Sequence, residues 1–118
     1  MKKWLLTLYV SMSLLMPMTA SANELSALCR SASDFAGGIL DARKAGVHNT
    51  DALNVVEQIT AGLNGSEKQI FGNLLRGMVG IVYSLPSSQV HFKHKTDSDT
   101  FRRNFVNSLH VECIRQNS

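Results

Sequence analysis

The chain has 118 residues, twelve lysines and arginines against nine carboxylates, a formal charge of +3, and 44% hydrophobic side chains. With no low-complexity segment, and no apolar run long enough to span a membrane beyond its first residues, this composition excludes a polytopic membrane protein and a disordered chain. It also gives no support to nucleic-acid binding, because Lys2 and Lys3 supply two of the three surplus charges and sit in a segment that reads as removable.

That segment, residues 1–22, opens with two lysines, continues as an apolar stretch from Trp4 to Met16, is broken at Pro17 and ends in Ala20-Ser21-Ala22. It has the pattern of a secretory signal peptide cleaved after Ala22. A membrane anchor needs roughly 20 apolar residues, and Thr7, Ser11 and Ser13 interrupt a shorter run. Without the leader, residues 23–118 carry ten bases and nine acids, enough chain for one domain and a net charge of +1. Six acids and three bases fall in 23–67, and three acids and seven bases in 68–118, so an electrostatically lopsided molecule is expected. The short leader points to a bacterial periplasm.

Leu25, Leu28, Ala32, Phe35, Ala36, Ile39 and Leu40 recur at helical spacing and predict a first helix over about 24–45, ended by Gly46. Thr50 is a candidate cap for a second helix over 51–63, with Leu53, Val56, Ile59 and Leu63 on its apolar side and Asn64-Gly65 as its stop. Ser66 and Gln69 have capping-box spacing before Ile70, Phe71, Leu74, Leu75, Met78 and Val82, so a third helix runs to Ser84, where Pro86 forbids continuation. Residues 85–96, which include SSQVHFKHKT, read as an exposed basic loop or short extended piece. Thr96 or Ser98 can cap a last helix carrying Phe101, Phe105, Val106, Leu109 and Cys113. The expected fold is all-α, a four-helix up-and-down-like bundle.

Cys29 lies near the start of the first helix and Cys113 near the end of the last. In an up-and-down bundle those two ends meet only when the number of helices is even. Exported chains with two cysteines usually pair them, so a Cys29–Cys113 disulfide is expected, ahead of a reactive thiol or an intermolecular bridge. Closing so long a loop stabilises by roughly 4 to 5 kcal/mol in the chain-entropy model.

Arg43 falls on the apolar arc of the first helix. It is a candidate for an ion pair or a partner's carboxylate, against a plain role at the helix's own C-terminal dipole. In the third helix Gly72, Gly77 and Gly80 gather with Gln69, Asn73, Arg76 and Ser84 opposite the apolar arc, a nearly bare polar strip that could admit another helix or a partner, with Asn73 and Arg76 as its binding candidates. Gly37-Gly38 raises the same question in the first helix. His91 and His94 have lysines beside them and no third ligand nearby, so no metal and no cofactor is expected. His48 and His110 read as surface or helix-end residues. The chain holds no GxSxG, HExxH or P-loop pattern, and no catalytic role is expected.

Cys29, Ala36, Arg43 and Gly46-Val47, then Tyr83, Pro86, Phe105 and Glu112-Cys113, resemble the pattern of small uncharacterised exported helical proteins of proteobacteria and prophages, with one N-terminal and one C-terminal cysteine. The resemblance spans most of residues 23–118 and implies an exported helical fold but no activity. RGMVG in the third helix and the longer SSQVHFKHKT loop depart from it. A looser likeness, in architecture alone, is to periplasmic immunity proteins of type VI secretion effectors. The expectation that follows is a periplasmic protein-binding module, with an inhibitor or immunity protein against a cell-wall hydrolase as its most concrete form. The rivals are a small-ligand carrier or enzyme with an inter-helix site, and an envelope stress chaperone.

Overall fold

The computed structural model describes residues 22–117, so the leader expected over 1–22 lies outside the described residues except for Ala22. Four helices make up the fold: α1 (Ala22–Lys44), α2 (Asn49–Thr60), α3 (Gly65–Ser84) and α4 (Lys95–Asn117), with a single 3₁₀ turn (Ser87–Gln89) between the last two. No strand occurs among the described residues. The molecule measures 47 × 26 × 24 Å, and none of its described helices is long and apolar enough to cross a membrane.

α1 is the helix on which the others assemble, because it buries two rows of small side chains. Its 29, 33, 37 and 41 row faces α4: Cys29 bonds Cys113, Gly37 lies against Val106, and Asp41 pairs with Arg102. The paired numbers sum to 142 or 143 throughout, which is the register of two antiparallel helices in contact along their length. A methyl group on Gly37 would sit 2.9 Å from Val106 Cγ2 and 3.0 Å from the Arg102 guanidinium. Gly37 therefore sets how closely α4 approaches. Ser33, also buried, returns its hydroxyl to the Cys29 carbonyl at 2.7 Å, so the row carries no unsatisfied donor into the interface.

Toward α3, Ala32, Ala36, Ile39 and Leu40 join Leu74, Leu75, Met78, Val79 and Val82 in one core, which Ala52 and Val56 of α2 complete. Leu40, Leu75, Val79 and Val82 are among its most enclosed side chains, each worth roughly 1.5 to 3 kcal/mol of apolar burial. α2 packs chiefly on α3, and α3 and α4 both pack on α1. The layout is thus α4, α1, α3, α2 rather than a closed square.

Two ion pairs cross these contacts, Asp41–Arg102 at 3.0 Å between α1 and α4 and Glu57–Arg76 at 2.9 Å between α2 and α3. The glycine strip of α3 is revised: Gly72 and Gly77 are buried and Gly80 alone of the three is exposed, because a helix clasped by two neighbours has two buried sides.

The helix ends obey their local chemistry in part. Gly46, at φ +93°, closes α1 as a Schellman motif, with Gly46 N donating to Arg43 O and Val47 N to Ala42 O, both at 3.0 Å. The side-chain caps expected of Thr50 and Ser66 do not form. α2 begins from His48, whose carbonyl receives Asp51 N and Ala52 N, and α3 begins one residue before Ser66, at Gly65 with φ +58°.

Candidate functional site

The end of the bundle where α1 and α3 finish and α2 and α4 begin holds most of the polar groups that the sequence singles out. Arg43 is half-buried there and donates through Nη1 to the carbonyls of Val82 and Leu85, each at 2.7 Å. These are among the last carbonyls of α3 and its cap, where the helix runs out of its own donors; Val82 O also receives the cap N–H of Leu85 at 3.3 Å. The guanidinium also lies 5.7 Å from the centre of the Tyr83 ring. Arg43 thus closes the neighbouring helix, a role distinct from an ion pair, a partner's carboxylate or its own helix dipole.

Tyr83 extends the same clasp, its hydroxyl donating to Val47 O at 2.6 Å across the turn after α1. Burial pushes the phenol above its ordinary value of 10.0, the nearby Arg43 cation pulls it back, and Asp51 adds a smaller upward push. Lys44 reaches Ser98 Oγ on α4. On the same helix Lys95 pairs with Asp99 at 2.7 Å, a contact that holds the Asp99 carboxyl below and the Lys95 ammonium above their usual ranges.

Between these clasps runs the segment 85–94. The sequence reads 85–96 as an exposed basic loop or short extended piece; the last helix already begins at Lys95, and the side chains of 85–94 divide into anchors and free groups. Leu85 O is held by Arg43, the 3₁₀ turn returns Gln89 N to Pro86 O and Val90 N to Ser87 O, and Val90 is buried in the main core with 1% of its surface exposed. Phe92 meets Phe101 at 5.5 Å between ring centres, and Phe101 stacks on Phe105 at 5.6 Å. His91, Lys93 and His94 remain exposed. Val90 and Phe92 were the missed residues, although their alternation with polar neighbours in QVHFK is a legible signal of a segment anchored on one side.

The other singled-out residues lie elsewhere. Arg76 donates to Glu57 Oε2 and to Asn73 Oδ1, both at 2.9 Å, so Asn73 and Arg76 form a surface clamp between α2 and α3, with the guanidinium folded over Gly72. Cys29 and Cys113 form the disulfide near the opposite end of α1, with Cα atoms 5.6 Å apart. His110 is half-buried on α4, its Nδ1 enclosed with no hydrogen-bond partner. A hollow of about 330 Å³ is lined by Asp99, Arg102, Arg103, Val106 and Asn107. All five belong to α4, so this hollow lies on one helix rather than between helices. Among the described residues no three His, Cys, Asp or Glu side chains are grouped to hold a metal ion. No family model matches this chain, and no curated protein or solved structure matches it either.

Proposed function

We propose that this protein is an exported, disulfide-locked module that binds another protein in the periplasm and performs no catalysis itself, its most concrete form being an inhibitor or immunity protein that blocks a cell-wall hydrolase. The observation that supports the reading is the pinned segment 85–94. A connection fixed by the Arg43 clasp, the 3₁₀ turn, the buried Val90 and the Phe92–Phe101 contact presents His91, Lys93 and His94 with little freedom left to lose. Pre-ordering of that kind raises affinity because the ordering cost is met in folding rather than in binding. The disulfide suits an oxidising compartment, and the signal-peptide pattern of residues 1–22 supplies the route there.

The test places a photo-crosslinker at Lys93, or at Lys68 on α3 as a control, in cells that export the protein. The expected result is one stoichiometric protein adduct from position 93 and none from 68, together with protection of those cells against a co-delivered hydrolase. No adduct from 93 and no protection would sink the proposal.

A further inference from the structure

Asp99, Arg102, Arg103 and Val106 recur at helical spacing on α4, which sets them on one face and, with Asn107, makes them the lining of the hollow of about 330 Å³. Val106, only 7% exposed, is its floor, and both Val106 and Arg102 lie against Gly37 of α1. Arg102 is fixed from that side. Asp41 accepts from its Nε and its Nη2, each at 3.0 Å, so the N–H groups of Nη1 take no part in the pair. Asp99 accepts from Lys95 at 2.7 Å and lies within the field of Lys44 and Arg102 as well. Arg103 is exposed, and no carboxylate among the described residues pairs with it. Asp97, two positions from Asp99, projects from another side of the helix, and the Arg30–Asp34 pair farther along α1 is balanced within itself. Lys44, Lys95, Arg102 and Arg103 against Asp41 and Asp99 therefore leave a surplus of two positive charges around one hollow.

We infer that this hollow is a binding site for a phosphate group, carried by inorganic phosphate or by a phosphomonoester. Its volume lies at the lower end of the roughly 300 to 1,000 Å³ of small-ligand sites. The charge selects among anions, because a phosphomonoester carries about −1.5 to −2 near neutral pH, whereas a carboxylate brings a single charge. Two guanidinium groups and the Asn107 amide supply N–H donors to the terminal phosphate oxygens. Because the Asp41 pair holds Arg102 in place, part of the ordering cost is already met by folding. The site is separate from the segment 85–94 and needs no protein partner, so it goes beyond the protein-binding reading and stands or falls without it.

The test titrates the purified protein at about pH 7.5, where phosphate is mostly dianionic, with inorganic phosphate and separately with acetate, following backbone amide shifts by NMR. Phosphate should move the signals of 99–107 first and bind more tightly than acetate. R103Q, which removes an exposed and unpaired cation, should weaken phosphate about tenfold. D99N should strengthen it about fivefold, and K68Q on α3 should change nothing. No shifts in the parent, shifts spread evenly over the surface, equal affinity for the two anions, or binding indifferent to R103Q would each overturn the inference. A parallel arm offers vesicles of phosphatidylcholine with phosphatidic acid. Where inorganic phosphate binds, vesicle capture that R103Q abolishes supports the site with a lipid headgroup among its phosphate sources, and absence of capture supports it with soluble phosphates alone. Capture without any response to inorganic phosphate overturns the inference in favour of a general attraction to a lipid surface.

Discussion

At Gly37 and Gly38, adjacent residues in one helix have opposite constraints. Gly38 is exposed with no atom within 4 Å of where a methyl group would stand, and Gly80 in α3 is the same. G38A and G80A should each raise stability by about 0.5 to 1 kcal/mol in urea unfolding, since alanine restricts the unfolded chain and clashes with nothing. G37A should instead cost about 1 to 3 kcal/mol, because the β-branched Val106 opposite has little rotamer freedom with which to retreat. Adding V106A should recover part of that loss, and simple summation of the two single costs would refute the close-approach reading. Tyr83 gives a pH signature at the same scale. Its raised pKa means that the folded state favours the protonated phenol, so its contribution to stability is complete below the ordinary value of 10.0 and fades as pH rises through the higher folded value. The difference in phenolate absorbance between the parent and Y83F should titrate above free tyrosine. It should move higher still in R43M, which removes the opposing cation.

Among the three long helices, α4 has the fewest fully buried side chains. Val106 and Cys113 are its only buried side chains, against eight buried positions in α3, so the Cys29–Cys113 bond and the half-buried Phe101 and Phe105 hold it to α1. In C29A/C113A, unfolding free energy should fall by about 4 to 5 kcal/mol, and hydrogen exchange should accelerate over 95–117 before it does in α1 and α3. Equal acceleration in all four helices would contradict a separately tethered α4. This is also the scale at which the sequence was most legible. The 3.6-residue apolar period located all four helices, Gly46 and Pro86 marked two of their ends, and the even number of helices led to the disulfide that the structure contains. The caps at Thr50 and Ser66 misled because a capping pattern records local possibility, and here tertiary packing starts each helix from a different residue. The glycines of α3 misled for a related reason, since a single apolar arc cannot reveal that a helix has neighbours on two sides. Arg43 was visible as a cation on an apolar face, but its acceptors lie 39 and 42 residues away in the chain, and no local spacing encodes such a partner.

For the molecule as a whole, the two strongest non-core constraints lie far apart on the same helix. Cys29 and Arg43 are fourteen positions apart on α1, about 21 Å along its axis, and they tie it to different neighbours, α4 through the disulfide and α3 through two carbonyls. Replacing Arg43 by methionine removes two charge-assisted bonds from half-buried carbonyls and should cost about 2 to 3 kcal/mol. Because the two ties share no atoms and act on separate interfaces, the losses in R43M and C29A/C113A should add to within about 0.5 kcal/mol in a double-mutant cycle. A large coupling would mean instead that α1 transmits strain from one end to the other, and that the Arg43 end is not independent of the disulfide. Additivity has a structural corollary: reduction should loosen the α4 side while the Arg43 clasp on Leu85 persists, so hydrogen exchange in C29A/C113A should rise over 95–117 and stay unchanged in the last turn of α3.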